Sequence, residues 1–235
     1  MSVFAGISFS FKIAHLCNEA SDLLDQLRAA PAPQLSHIEE AVTFVTNVRL
    51  LARGFQQLQP ERFGALTTLL AAYDIAICST FVAALLLPHL GLESEKVVGQ
   101  IGLATFLQDL GLYHLNPALH HADESKMTPE EQTHYRTHPT KSVELLAGLD
   151  GVETVVKQAI SQHHVRRNKR GFPHLPTDSI TRIAEIVGIS GDFARLLHDG
   201  AEYPSQRLEY TLDFDYFSGF SPGMVEVFKK VFFRR

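Results

Sequence analysis

Apolar residues recur along this chain mostly at intervals of three and four, the period of a helix buried on one face. Ile38, Val42, Val45, Val48 and Leu51 follow this spacing after Ser36 and Glu39, whose types and interval read as a capping box. Thr128-Pro129-Glu130-Glu131 is a second helix start, with a cap, a proline in the first turn and a glutamate three residues after the cap. Ser221-Pro222 opens a last helix whose Val225, Phe228 and Phe232 form one stripe. Strand-type alternation is scarce, and the longer loops fall at 111–127, 165–179 and 199–220. The pattern predicts an all-α fold. Pro31, Pro33 and Pro60 punctuate the first quarter, so residues 1–62 read as a helical N-terminal extension and 63–235 as the main domain.

The stretch Ala65 to Leu87 is long enough to cross a bilayer, but Asp74 and several hydroxyl residues interrupt it and Pro88 stops it. It reads as a buried core helix, with no membrane span. Composition adds little else. Hydrophobic residues make up 45% and charged residues 20%, enough to build a core. A net charge of −5 leaves no electrostatic footprint for DNA. Cys17 and Cys78 are the two cysteines, too few for a disulfide framework, and the N-terminus lacks a basic signal region; a cytoplasmic location is expected. Twelve histidines, however, are many, and some fall in an ordered series with carboxylates.

That series runs Asp74, Cys78, Gln108-Asp109, His138-Pro139, His163-His164 and Gly171-Phe172-Pro173. Leu107-Gln-Asp-Leu-Gly-Leu112 resembles the L-H-D-x-G-K signature of HD-type metal-dependent phosphohydrolases. The order of the later motifs, together with the closing Phe217 to Phe228 segment, resembles the HD-GYP branch, whose members hydrolyse cyclic di-GMP. The likeness covers roughly residues 70–232, about the size of one domain. It implies an HD-domain-like helical bundle and a two-metal centre in which two cations activate a hydroxide and neutralise phosphate charge.

The departures from that family pattern are organised. Cys78 stands for the early histidine, Gln108 for the HD histidine, Gly191 for the late aspartate and Leu112 for the signature lysine. The first three of these losses fall on one metal's ligands, whereas Asp109, His138, His163 and His164, the second metal's set, are all present. Three imidazoles and one carboxylate suit Zn, Fe or Mn. Two alternatives stay open. Asp74 and Cys78, four apart on one helix face, could form an unconventional site with Asp109, or be a helix-start aspartate and a core thiol. A one-residue shift in the alignment would put Asp192 in the late-aspartate slot, although the stripe Ile180, Ile183, Ile186, Ile189, Phe193 and Leu196 favours Gly191. His114, His120, His121 and His134 read as surface residues.

The lid is altered as well. The family's Gly-x-Gly-Tyr-Pro becomes Lys169-Arg170-Gly171-Phe172-Pro173, preceded by Arg166 and Arg167. Those four cations suit either a phosphate-binding lid or a solvated loop. Together these features imply a degenerate module, unable to hydrolyse cyclic di-GMP, that keeps one divalent metal ion. It would bind a cyclic dinucleotide, or another signalling domain through the 165–173 loop. The alternative is an active phosphodiesterase with a single-metal or unconventional site.

Overall fold

The computed structural model describes residues 3–55, 60–120, 123–199 and 214–233. Those residues form helices and turns, with no strand among them. The order is α1 (Val3–Ala29), α2 (Leu35–Phe55), α3 (Pro60–Leu70), α4 (Ile75–Leu86), α5 (Glu95–Leu107), α6 (Pro129–Tyr135), α7 (His138–Leu145), α8 (Thr154–Gln162), α9 (Arg182–His198), α10 (Phe214–Phe217) and α11 (Pro222–Phe232). Single 3-10 turns fill the connections, notably Leu110–His114 after α5.

The bundle is organised around α4, whose residues from Ala76 to Leu86 are nearly all buried, so it has no solvent face. A helix apolar all round must be enclosed, and α2, α5 and α9 pack against it. The single core helix expected over 65–87 is in fact two. Asp74 ends the turn after α3 and caps α4, its Oδ1 accepting the Ala76 N–H at 2.9 Å. No helix among the described residues is long and apolar enough to cross a membrane.

The start of α2 also differs from its expected position. It begins at Leu35, a residue ahead of Ser36, and the His37 Nδ1 accepts the Gln34 N–H at 3.2 Å in place of the predicted Ser36–Glu39 box. Val42 lies on the outer side, 44% exposed. The buried stripe is Ile38, Ala41, Val45, Val48 and Ala52, because two neighbouring phases of the same apolar pattern compete and the alanines select this one. The box at Thr128 and Glu131 forms as the residues predict.

Cys17, Leu24 and Leu27 of α1 share one continuous core with Phe44 of α2, Phe81 of α4 and Phe106 of α5. The Phe44 and Phe106 rings lie 4.9 Å apart. The core therefore runs across residue 62 without a break. One polar tie joins the same parts: Arg28, on the last turn of α1, reaches the Asp74 carboxylate at 2.6 Å and lies 3.6 Å above the Tyr113 ring.

Candidate metal centre

Three chain segments converge at one end of the bundle. Asp109 follows the end of α5, His138 is the first residue of α7, and His163 and His164 follow α8 directly. One donor atom from each of the four falls within 4.8 Å of all the others. Close backbone packing makes this possible. The Gly111 N–H donates to the Ser142 Oγ at 2.8 Å, and that hydroxyl donates to the Gln108 carbonyl at 2.9 Å, which pins the Asp109 turn to α7. A Cβ at Gly111 would overlap the His138 carbonyl oxygen and the Ser142 nitrogen. Gly171 and Gly188 likewise lie against the carbonyls of His164 and His163, where a side chain has no room.

The histidine orientations follow from their outer hydrogen bonds. His138 Nδ1 lies 2.7 Å from the Tyr135 carbonyl, and His163 Nδ1 lies 2.6 Å from the Ile160 carbonyl. A carbonyl only accepts, so each Nδ1 carries the proton and each Nε2 offers a lone pair inward. The two Nε2 atoms are 3.3 Å apart, and each is 3.3 Å from Asp109 Oδ1. Three electron-rich atoms so placed repel one another unless a positive charge lies among them. His164 Nε2 is buried with no hydrogen-bond partner, as is Asp109 Oδ1. The His164 ring is held by Phe172, stacked at 4.4 Å with a 21° interplanar angle. This donor set fits a divalent cation held by Asp109, His138, His163 and His164, and its nitrogen-rich character suits Zn, Fe or Mn.

The electrostatics agree with that fit. Burial lowers the pKa of His138 and, with the neighbouring imidazoles, holds that of His164 well below the ordinary value. Without a cation, burial works to raise the Asp109 carboxyl, but an Nε2 proton donated to it by His138 or His163 holds it well below the usual carboxylate range. Both kinds of shift act in one direction on stability. The unfolded chain takes up protons on these histidines below about pH 6.5, and on the aspartate below about 3.9, before the folded chain does. Stability of the metal-free protein is therefore expected to fall as the pH drops below about 6.5, by at most about 2.7 kcal/mol per pH unit for two histidines. Thermal melts in chelator at pH 8, 6.5 and 5 check this; a flat profile would contradict the histidine assignment.

The residues expected at the other metal's positions have different surroundings. Cys78 is buried at 1% exposure, and burial pushes its thiol up, away from the thiolate a metal needs. Gln108 is 1% exposed, and its amide reaches Ser79 Oγ at 3.4 Å. A Cβ at Gly191 would stand 2.9 Å from the Gln108 Nε2, so the glutamine side chain already takes the space a residue there would use. Asp74 is paired with Arg28, and Asp192 with Arg166 at 2.6 Å. None of Asp74, Cys78 and Asp192 belongs to the ligand cluster.

The lid cations are brought together only in part. Arg166 also lies 4.8 Å above the Phe220 ring, and Arg167 pairs with the buried Glu185 at 2.6 Å. Two of the four cations thus tie the 165–173 loop to α9 and the C-terminal segment. Lys169 adopts a left-handed backbone, φ 62°, where the family places glycine. Of the four interlying histidines, His134 is exposed, His114 and His120 are half-buried, and His121 lies outside the described residues. Arg195, absent from the sequence reading, reaches the second oxygen of Asp109: its Nη2 lies 3.8 Å from Oδ2. The signal for it is the α9 register, because Gly188, Gly191 and Arg195 share one helix face.

The family model described as HD domain matches residues 57–213. The chain belongs to the HD domain family. The fold of this HD domain is also similar to the solved structure of Bd1817, an HDG"Y"P protein from Bdellovibrio bacteriovorus. That match has a TM-score of 0.66 at 15% identity, and it covers 95% of this chain and 72% of that one. The sequence matches none of the curated proteins. Within the matched residues, Asp109 is preceded by Gln108.

Proposed function

We propose that this HD domain is a degenerate member of the HD-GYP branch that holds one divalent cation and does not hydrolyse cyclic di-GMP. It acts as a binding module for a phosphorylated, nucleotide-type ligand. The single observation carrying this reading is the asymmetry of the centre. Asp109, His138, His163 and His164 bring four donors within 4.8 Å, while Gln108 fills the space beside Gly191 and Cys78 is sealed in the core. When bound, a divalent cation at the four-donor set supplies Lewis acidity and a positive charge for an anionic ligand. Two-metal cleavage needs hydroxide generation and charge clamping together, and the residues for the second cation are missing. Asp109 and the three histidines hold the cation in this reading, and the Nδ1–carbonyl bonds of His138 and His163 keep those two imidazoles oriented.

The test is turnover of cyclic di-GMP by the purified chain with added Mn, Fe or Zn, alongside elemental analysis. About one cation per chain and no turnover above the metal blank are expected. Turnover that disappears in Asp109→Ala and His164→Ala would overturn the proposal in favour of an active phosphodiesterase.

A further inference from the structure

Arg195 has no role in holding the cation, yet it faces the same aspartate. At 3.8 Å from Asp109 Oδ2 its guanidinium is within electrostatic reach of the carboxylate but beyond hydrogen-bond distance. Asp109 therefore presents one oxygen to the imidazoles and the other to a guanidinium. A third of the Arg195 side chain remains exposed, against 12% for Asp109, so the arginine marks the solvent side of the centre. The contrast with the lid is informative. Arg166 and Arg167 each donate to a carboxylate at 2.6 Å, so much of their fork is taken up internally. The Arg195 guanidinium makes no hydrogen bond among the described residues. Asp192 and Asp199, three residues before and four after it on the chain, contribute negative charge nearby, as does Asp109. These hold the guanidinium in place without filling its donors.

We infer that Arg195 is the anion-recognition residue of the centre: it contacts a phosphate oxygen of the ligand and supplies, beside Asp109, the positive charge that a second cation would otherwise bring. Guanidinium geometry suits this role, because its planar fork meets two oxygens of a phosphate at once and its charge persists at any working pH. The inference rests on the proposed one-cation reading for its ligand class, but its test does not.

The probe is inorganic phosphate, titrated calorimetrically into the full chain with Mn bound and again after chelation, for wild type, Arg195→Gln and Arg195→Lys. Manganese content should be the same in all three proteins. Phosphate affinity should fall about ten- to a hundredfold in Arg195→Gln, the loss of a charged hydrogen-bonding group, and recover in part in Arg195→Lys. If the wild type takes up no manganese, the one-cation reading fails, and phosphate binding that depends on Arg195 in the chelated protein still sustains the inference. Arg195→Gln binding phosphate as wild type does in either state would overturn it. So would a wild type that binds no phosphate in both states, or an Arg195→Gln protein that loses manganese, which would make Arg195 a positioning residue for Asp109.

Discussion

Asp109→Asn is expected to weaken cation binding severely and, with it, to remove a large part of the thermal stability that the cation confers. Structural metal sites contribute roughly 10–16 kcal/mol of binding energy, so one of four ligands carries about 2.5–4 kcal/mol, a hundred- to a thousandfold in affinity. A cation present at about a thousand times its Kd stabilises the fold by about 4 kcal/mol. In a chain of this size that corresponds to roughly 8–16 °C in Tm. Chelation should lower the wild-type Tm by that amount and shift Asp109→Asn by no more than about a third as much. A wild-type Tm indifferent to chelator would end the case for a resident cation. The chelated protein should still be folded, since the main core is built from α1, α2, α4, α5, α9 and α11 rather than from the ligands.

Gly111→Ala should be among the most damaging single-methyl changes in the protein. The added carbon would strike the His138 carbonyl oxygen and the Ser142 nitrogen, both backbone atoms of α7, which no side-chain rotation can relieve. Overpacking against a fixed backbone costs about 3 kcal/mol or more. The melt should therefore shift down by roughly 6–12 °C. Cation affinity should fall too, because any retreat of α7 carries His138 away from Asp109. Gly99→Ala is the control: it lies within α5, and a Cβ there meets nothing within 4 Å. Removing a helical glycine should raise stability by up to about 1 kcal/mol. Equal melts for the two variants would show that the Asp109 turn and α7 are not packed as described.

Much of the fold was readable because helical periodicity is a local property. The α9 stripe of Ile186, Ile189 and Phe193 is buried as its spacing predicts, and Thr128 with Glu131 caps α6 through contacts three residues apart. The errors were also of a physical kind. Ser36 and Glu39 have the composition of a capping box, but the register of α2 is set by burying Ala41 and Val45, so the helix starts earlier. The stretch from Ala65 to Leu87 is apolar enough for one helix, and it was Asp74, drawn to Arg28 some 46 residues away, that marks the break.

The order and identity of the ligand-type residues were determined by the sequence alone: one aspartate and three histidines in an ordered series, beside Asp74, Cys78, Gln108, Gly191 and Asp192. Their convergence was not. Asp109 and His163 are far apart in the chain, and the distance between their donors depends on glycines that let backbones touch and on carbonyls that aim the imidazoles. The same holds for the cations. Four basic residues in the 165–173 loop looked alike in one dimension, but packing turned Arg166 and Arg167 inward onto Asp192 and Glu185 and brought Arg195 to the centre. Residue type is written locally, whereas the partner that neutralises a charge is chosen only when distant segments close around it.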